Sequence, residues 1–275
     1  MSSERPLVEA FYHRDGLEDL LLEALQRAGK ELDALRPEDL APIDAFHVRG
    51  REATAQLARL AEVTGRERVL DVGCGLGGAA RQLAELGCRV VGADLTENYC
   101  RVAARLSTLV GLVERTLFCR ADAVCLPFGA ASFDLVWTEH TQMNVADKER
   151  FYGEIARVLR PGGRLAFYDI LQGSGGPPYF PVPWAADATT NFLLTPDALQ
   201  VHLESAGFDI LVWKDGTEEA IPWFRELLER GRREGRPVLG LHLLIGPDAR
   251  LKSENQLRNL AEGRIRLVQG VAVRR

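Results

Sequence analysis

VLDVGCGLGG, residues 69 to 78, decides the fold, because a short apolar run carrying one acid passes directly into a glycine cluster. Val69, Leu70 and Val72 have the composition of a strand buried on both faces, and Gly73, Gly75, Gly77 and Gly78 permit backbone angles closed to other residues. A chain of this kind can press close against a ligand. It is the build of a nucleotide-cofactor cradle at the end of a buried strand.

Strand-like and helix-like segments alternate on either side of this cradle, the pattern of a doubly wound, mostly parallel α/β sheet. Strands are predicted over 68 to 74, 89 to 95, 115 to 121, 133 to 140, 164 to 171, 208 to 214 and 265 to 273, seven in all. The helices between them carry apolar residues at i, i+4, i+7 and i+8: Ala53, Leu57, Leu60 and Ala61; Val102, Leu106, Leu109 and Val110; Phe151, Ile155, Val158 and Leu159. Thr96 and Asp147 are N-cap candidates, Pro196 follows Thr195 at a first helical position, and Gly207 is a C-cap.

Three regions stand outside the alternation. Residues 1 to 49 predict two short helices, with Leu17, Leu20, Leu21 and Leu25 on one face and Pro37 and Pro42 punctuating the stretch beyond them. Residues 173 to 184 are a loop of Gly, Pro and aromatics, and 217 to 263 are a helical insertion. The expectation is a single domain over 1 to 275: an N-terminal cap (1–49), a cofactor-binding core (50–215), a substrate-side insertion (217–263) and a last strand (264–275).

At 275 residues, 46% hydrophobic and 27% charged, the chain suits one large globular domain and neither a fibre nor a disordered tract. No run reaches the roughly 18 apolar residues of a membrane span, and the N-terminus has no apolar signal core, so a cytoplasmic protein is expected. Five cysteines, never spaced C-x-x-C, read as reduced structural thiols, and no metal site is expected. From Gly231 onward ten Lys or Arg oppose four Asp or Glu, a local +6 that leaves −11 for the rest of a chain of net charge −5. Those basic residues are scattered and not interleaved with aromatics, so no nucleic-acid partner is expected.

Gly73, Gly75 and Gly78 spell G-x-G-x-x-G, so a nicotinamide-dependent oxidoreductase must be weighed. Asp71 shifts the balance, since an acid inside the strand end opposes a pyrophosphate but suits a ligand with positive charge. S-adenosylmethionine carries a sulfonium and an α-amino group and no phosphate. Asp94 ends the second strand about 20 residues beyond the glycines, the usual place for a carboxylate on ribose hydroxyls. Asp122 ends the third and could accept from the adenine amine.

VLDVGCGLGG, VVGADL, RADAVCLPF, FDLVWTEH and ARVLRPGGRLAFYDI, in that order over roughly 45 to 215, resemble the class I S-adenosylmethionine-dependent methyltransferases. GLGGAARQLA, the RVLRPGG turn and the late helical insertion look most like the branch holding glycine, sarcosine, dimethylglycine and phosphoethanolamine N-methyltransferases. The resemblance implies that Asp71, Gly73, Gly75 and Gly77, with Cys74 in the same turn, surround the methionine portion. It places Asp94 and Leu95 at the ribose, Asp122 and Ala123 at the adenine, and Glu139, His140 and Gln142 beside the methyl-bearing sulfur. Phe11 and Tyr12 are similar to aromatics that fold over the cofactor in related enzymes.

Methyl transfer from a sulfonium is an in-line displacement, so alignment in a dry pocket supplies much of the rate and a base is needed only if the acceptor loses a proton. His140 and Glu139 are the candidate bases, His140 the better matched to neutral pH. Adjacent strand residues point to opposite faces, so only one reaches the acceptor unless the strand ends between them. Tyr168 is a further catalytic candidate, and His13, His47, Asp169, Tyr179 and Trp184 are acceptor-side candidates. A small-molecule acceptor is expected, nitrogen before oxygen, with carbon of a quinone-like compound third, in a monomer or homodimer. A binding-only descendant that no longer transfers is the remaining alternative.

Overall fold

In the computed structural model, which describes residues 4 to 275, Val69, Leu70 and Val72 are fully buried in strand β1 (Arg68–Val72). Residues 1 to 3 of the expected cap lie outside the described residues. Before β1 come α1 (Arg5–Tyr12), α2 (Leu17–Arg27), α3 (Pro37–Asp44) and α4 (Gly50–Leu60). After it come α5 (Gly78–Glu85), β2 (Arg89–Asp94), α6 (Glu97–Leu109), β3 (Thr116–Arg120), β4 (Phe133–Glu139), α7 (Lys148–Val158) and β5 (Leu159–Gln172). The chain continues through α8 (Pro196–Ser205), β6 (Phe208–Asp215), α9 (Thr217–Glu234), α10 (His242–Ile245), α11 (Ala249–Ala261) and β7 (Ile265–Arg274).

The seven strands form one sheet in the order β3-β2-β1-β4-β5-β7-β6, with β7 antiparallel to both its neighbours and the other pairs parallel. The order reverses between β1 and β4. There the C-terminal strand ends open a crevice, the usual ligand site of such sheets.

Period-two alternation sorts the core into two faces. Val69, Leu135, Trp137, Ala166, Tyr168 and Ile170 pack with α4, α5 and the insertion's Ala220 and Phe224, whereas Leu70, Val136, Leu165, Phe167 and Leu171 pack with α7 and α8. Leucines of α2 and α3 join Tyr99, Val102 and Leu106 of α6 in a third cluster, which fixes the cap onto the core.

The cap holds three helices up to Asp44 where two were expected. Pro37 opens α3 instead of breaking the chain, because a proline at a first helical position lacks only an N–H that would go unpaired, and Asp39 accepts from the Arg36 N–H at 2.9 Å to close the cap. Strand β5 begins at Leu159, not 164, since Leu159 already pairs with Phe133 before the register slips to Leu135 opposite Arg164. Asp147 and Thr195 cap α7 and α8 as expected, but the Thr96 side chain caps nothing.

Gly270 of β7 lies opposite Phe167 of β5, and a Cβ there would overlap the Phe167 ring. Gly270→Ala is expected to lower stability by about 1–3 kcal/mol, the cost of overpacking a filled core. Urea denaturation measures it; an unchanged midpoint would contradict this seat.

Candidate functional site

Two adjoining cavities occupy the crevice, one of about 470 Å³ over the glycine turn and one of about 930 Å³ beneath the insertion. Tyr12, Phe46, His47 and His140 line both.

The first cavity is built on β1 and β2. Gly73 sits at φ +75°, its N–H and that of Cys74 donate to the Ala93 carbonyl at 2.7 and 3.2 Å, and a Cβ on it would overlap the Thr141 side chain. The turn is thereby clamped to the neighbouring strand. Asp94 accepts from Gly75 N at 2.9 Å on one oxygen and from Thr96 N at 2.9 Å on the other, which aims the carboxylate and leaves each oxygen a lone pair. Asp71, Gly73, Cys74, Gly75, Asp94, Leu95, Asp122, Ala123, Glu139 and Tyr12, the residues the sequence assigns to a cofactor, all line this cavity. Gly77 does not; it sits at φ +80° where a Cβ would strike Phe118, so its role is to let α5 pack.

Negative charge dominates here. Burial first, then the charges of Glu139 and Asp94, raises the Asp71 pKa well above its ordinary value, and burial also raises Asp94. One Asp71 oxygen is buried without a partner among the described residues. Such a set fits a cationic ligand and opposes a phosphate. Because the folded-state pKa is raised, folding is favoured below the ordinary pKa and penalised as pH climbs through the raised value, so the penalty is present at pH 7. Asp71→Asn is expected to stabilise the ligand-free protein by about 1 kcal/mol, a few degrees in Tm, while cutting affinity for a cationic cofactor tenfold or more. Thermal denaturation with and without ligand tests both halves.

Helix α1 roofs this cavity without burying any of its own residues. Among the described residues it is held by Arg5 to Asp122 at 2.5 Å, Glu9 to Arg120 at 2.9 Å and Tyr12 Oη to Asn144 Oδ1 at 2.8 Å, with the Tyr12 ring packed against Phe46 and Tyr99. Asp122 also accepts from Val124 N at 3.1 Å.

Strand β4 ends between the two candidate bases. Glu139 closes it, and His140 adopts φ +51°, a left-handed conformation that few residues other than glycine accept, so alternation no longer separates them. Glu139 reaches only the first cavity, its oxygens accepting from Thr54 Oγ1 at 3.0 and 3.1 Å, with His47 Nε2 at 3.6 Å. His140 lies on the shared wall with Nε2 unpartnered among the described residues, and burial, then His47, lowers its pKa well below the ordinary value. It is neutral at pH 7.

Other candidates fall elsewhere. Tyr168 lines neither cavity; buried behind the wall, its ring lies 4.7 Å from that of His140. Asp169 points to the opposite face, as its neighbour on a strand must, and its carboxyl accepts from the N–H groups of Thr141 and Gln142, supporting the turn after His140. Burial pushes it up to about 7. Gln142 is buried, donating to the Ile170 carbonyl at 2.9 Å, and faces away from the cavities. Tyr179 is sandwiched between Arg258 and Arg264 at 3.7 and 4.0 Å, so its face is not open to a ligand. His13 pairs with Asp15 at the surface, and Phe11 lies under Lys252. His47 and Trp184 do line the larger cavity.

That cavity is walled by Trp184, Trp223, Phe224 and Leu227 and carries arginines 49, 51, 230, 232, 236 and 250; among the described residues no Asp or Glu lines it. Sequence reading missed Thr54, Asn144 and the buried Asp44–Arg81 pair, 2.7 Å apart. A polar residue on an apolar helix face was the available signal, with Thr54 between Ala53 and Leu57 and Arg81 between Ala80 and Leu83. No described helix is long and apolar enough to cross a membrane.

A family model described as a methyltransferase domain matches residues 70–167. Methyltransferase GfsG of Streptomyces halstedii is 36% identical over 188 residues, covering 67% of this chain and 68% of that protein. Sterol 24-C-methyltransferase of Eremothecium gossypii is 32% identical over 194 residues, 62% of this chain and 48% of that protein, so the match spans about half of that relative. The crystal structure of the (4+2)-cyclase SpnF superposes with TM-score 0.72 at 22% identity over 99% of this chain and 97% of that one.

Proposed function

The chain belongs to the class I S-adenosylmethionine-dependent methyltransferases, and from that premise we propose that it methylates a hydroxyl oxygen of a large, mainly apolar acceptor held in the 930 Å³ cavity. The shared wall of Tyr12, Phe46, His47 and His140 carries this reading, because a donor in one cavity and an acceptor in the other meet at His140. A cationic amine, the acceptor expected first from the sequence, would enter a chamber lined by six arginines, of which Arg49, Arg51, Arg232 and Arg250 are paired with glutamates while Arg230 and Arg236 have no acid partner among the described residues. An uncharged or anionic acceptor avoids that cost. The sterol methyltransferase relative, by its name, also points to a bulky apolar acceptor, though one methylated at carbon.

S-adenosylmethionine, when bound, supplies an electrophilic methyl group on a sulfonium. On this reading Asp94 and Leu95 hold the ribose, Asp122 and Ala123 meet the adenine, and Asp71 with Gly73, Cys74 and Gly75 receives the methionine portion. Glu139 and Asp71 place negative charge beside the cation, and Thr54 keeps Glu139 turned toward the first cavity. His140 Nε2 accepts the hydroxyl proton as the oxygen attacks, its neutral form already present at pH 7. Tyr168 is a positioning residue that packs the imidazole.

The acceptor class is tested by incubating the protein with labelled S-adenosylmethionine and parallel panels of hydroxylated polycyclic or macrocyclic compounds and of amines. Label in methyl ethers supports the reading. Label in amines alone, or in carbon positions, overturns it.

A further inference from the structure

Asp44 ends α3, outside the strand-end acids that the sequence singles out. Its side chain is 2% exposed, and its two oxygens are treated differently. Oδ2 accepts from Arg81 Nη2 at 2.7 Å, whereas Oδ1 is buried with no partner among the described residues. Arg81 cannot swing round to serve it, being held by the Leu76 and Ala103 carbonyls and by Ser107 Oγ. Asp44 lines the first cavity and lies over the glycine turn, where a Cβ on Gly78 would come within 3.1 Å of its carboxyl carbon. Asp71, on the same cavity, offers the second unpartnered buried carboxylate oxygen.

Two buried acceptors without donors call for a ligand group bearing several N–H bonds and a positive charge. A sulfonium has charge but no hydrogen to donate. We infer that Asp44 Oδ1 and Asp71 Oδ2 together seat the α-ammonium of the methyl donor, making Asp44 a binding residue supplied by the cap. The inference rests on the first cavity being the donor site, and it assigns the amino-acid end of the donor to the glycine turn. Phe46 and His47 lie within three residues of Asp44 on the shared wall, so the strap that holds the donor's tail also shapes the floor of the acceptor chamber.

Calorimetry with two probes isolates the contact: S-adenosylhomocysteine, which has the ammonium, and methylthioadenosine, which lacks the whole amino-acid tail. Asp44→Asn is expected to weaken S-adenosylhomocysteine binding about 10- to 100-fold, the value of one charged hydrogen bond, and to leave methylthioadenosine within twofold. Equal losses for both probes would mean that Asp44 only supports the turn, and no loss for either would remove it from the site; each overturns the inference. If Arg81 left without its counter-charge prevents folding, Asp44→Asn/Arg81→Gln removes both charges and the same ratio decides. Wild-type protein that binds neither probe would sink the donor-site reading itself, a result distinct from wild-type binding that the Asp44 variants leave unchanged.

Discussion

Asp94→Ala is expected to lower affinity for S-adenosylhomocysteine by about 100-fold or more, the largest loss of donor binding expected from any single substitution in the cavity. A carboxylate that grips two adjacent hydroxyls makes two charge-assisted hydrogen bonds, each worth about 1.5–3 kcal/mol, and a factor of ten costs about 1.4 kcal/mol. Part of the loss is local, because Asp94 also accepts from Gly75 N and Thr96 N and so ties the glycine turn to the start of α6. Asp94→Asn separates the two contributions. It keeps one acceptor for the turn and should recover stability more fully than affinity. Titration calorimetry beside thermal denaturation provides both readouts, and an affinity within fivefold of wild type would remove Asp94 from the ribose site.

His140→Ala should cut kcat by about 10² to 10³ while leaving donor affinity nearly intact, the range expected for loss of a general base. The pH dependence gives a sharper signature. Burial and the neighbouring His47 hold the His140 pKa below its ordinary value of about 6.5, so the base-competent form dominates at neutrality. The rate should be flat above about pH 6.5 and fall only when acidification reaches the depressed pKa. Stability follows the same sign. The unfolded chain takes up the imidazole proton first, so stability is lost as pH drops below about 6.5, and His140→Ala removes that loss. A variant that kept full rate would show that alignment alone suffices.

How much of the molecule was readable from its residues depended on distance along the chain. The seven strands, their order of appearance and the three acids at strand ends are local features, each set by a few residues of apolar alternation and a turn, and they lie where expected. Boundaries shifted where long-range pairing took over, as at Leu159, which joins β5 because Phe133 is beside it. Side-chain direction was the weaker inference. Tyr168 and Asp169 both close a strand near the methyl site in sequence, yet alternation sends one behind His140 and the other to the far face. The rule that divided Glu139 from His140 gave way at one residue, where a positive φ turns the chain. Thr54 and Asp44 were invisible because their importance comes from partners 85 and 37 residues away.

The roof of the first cavity has a bearing on turnover if the proposed donor site is right. Among the described residues helix α1 is fastened by two ion pairs, one phenol hydrogen bond and the half-buried Tyr12 ring against Phe46 and Tyr99, with no fully buried side chain of its own. Ion pairs are weakened by dissolved salt, whereas an apolar seal would be strengthened by many salts. Added electrolyte is therefore expected to loosen the two ion pairs of the roof and so, on the proposed donor site, to speed release of spent donor and weaken the hold on fresh donor. Ionic strength would then trade saturation against throughput, and steady-state rates measured across a salt series are expected to peak at an intermediate concentration.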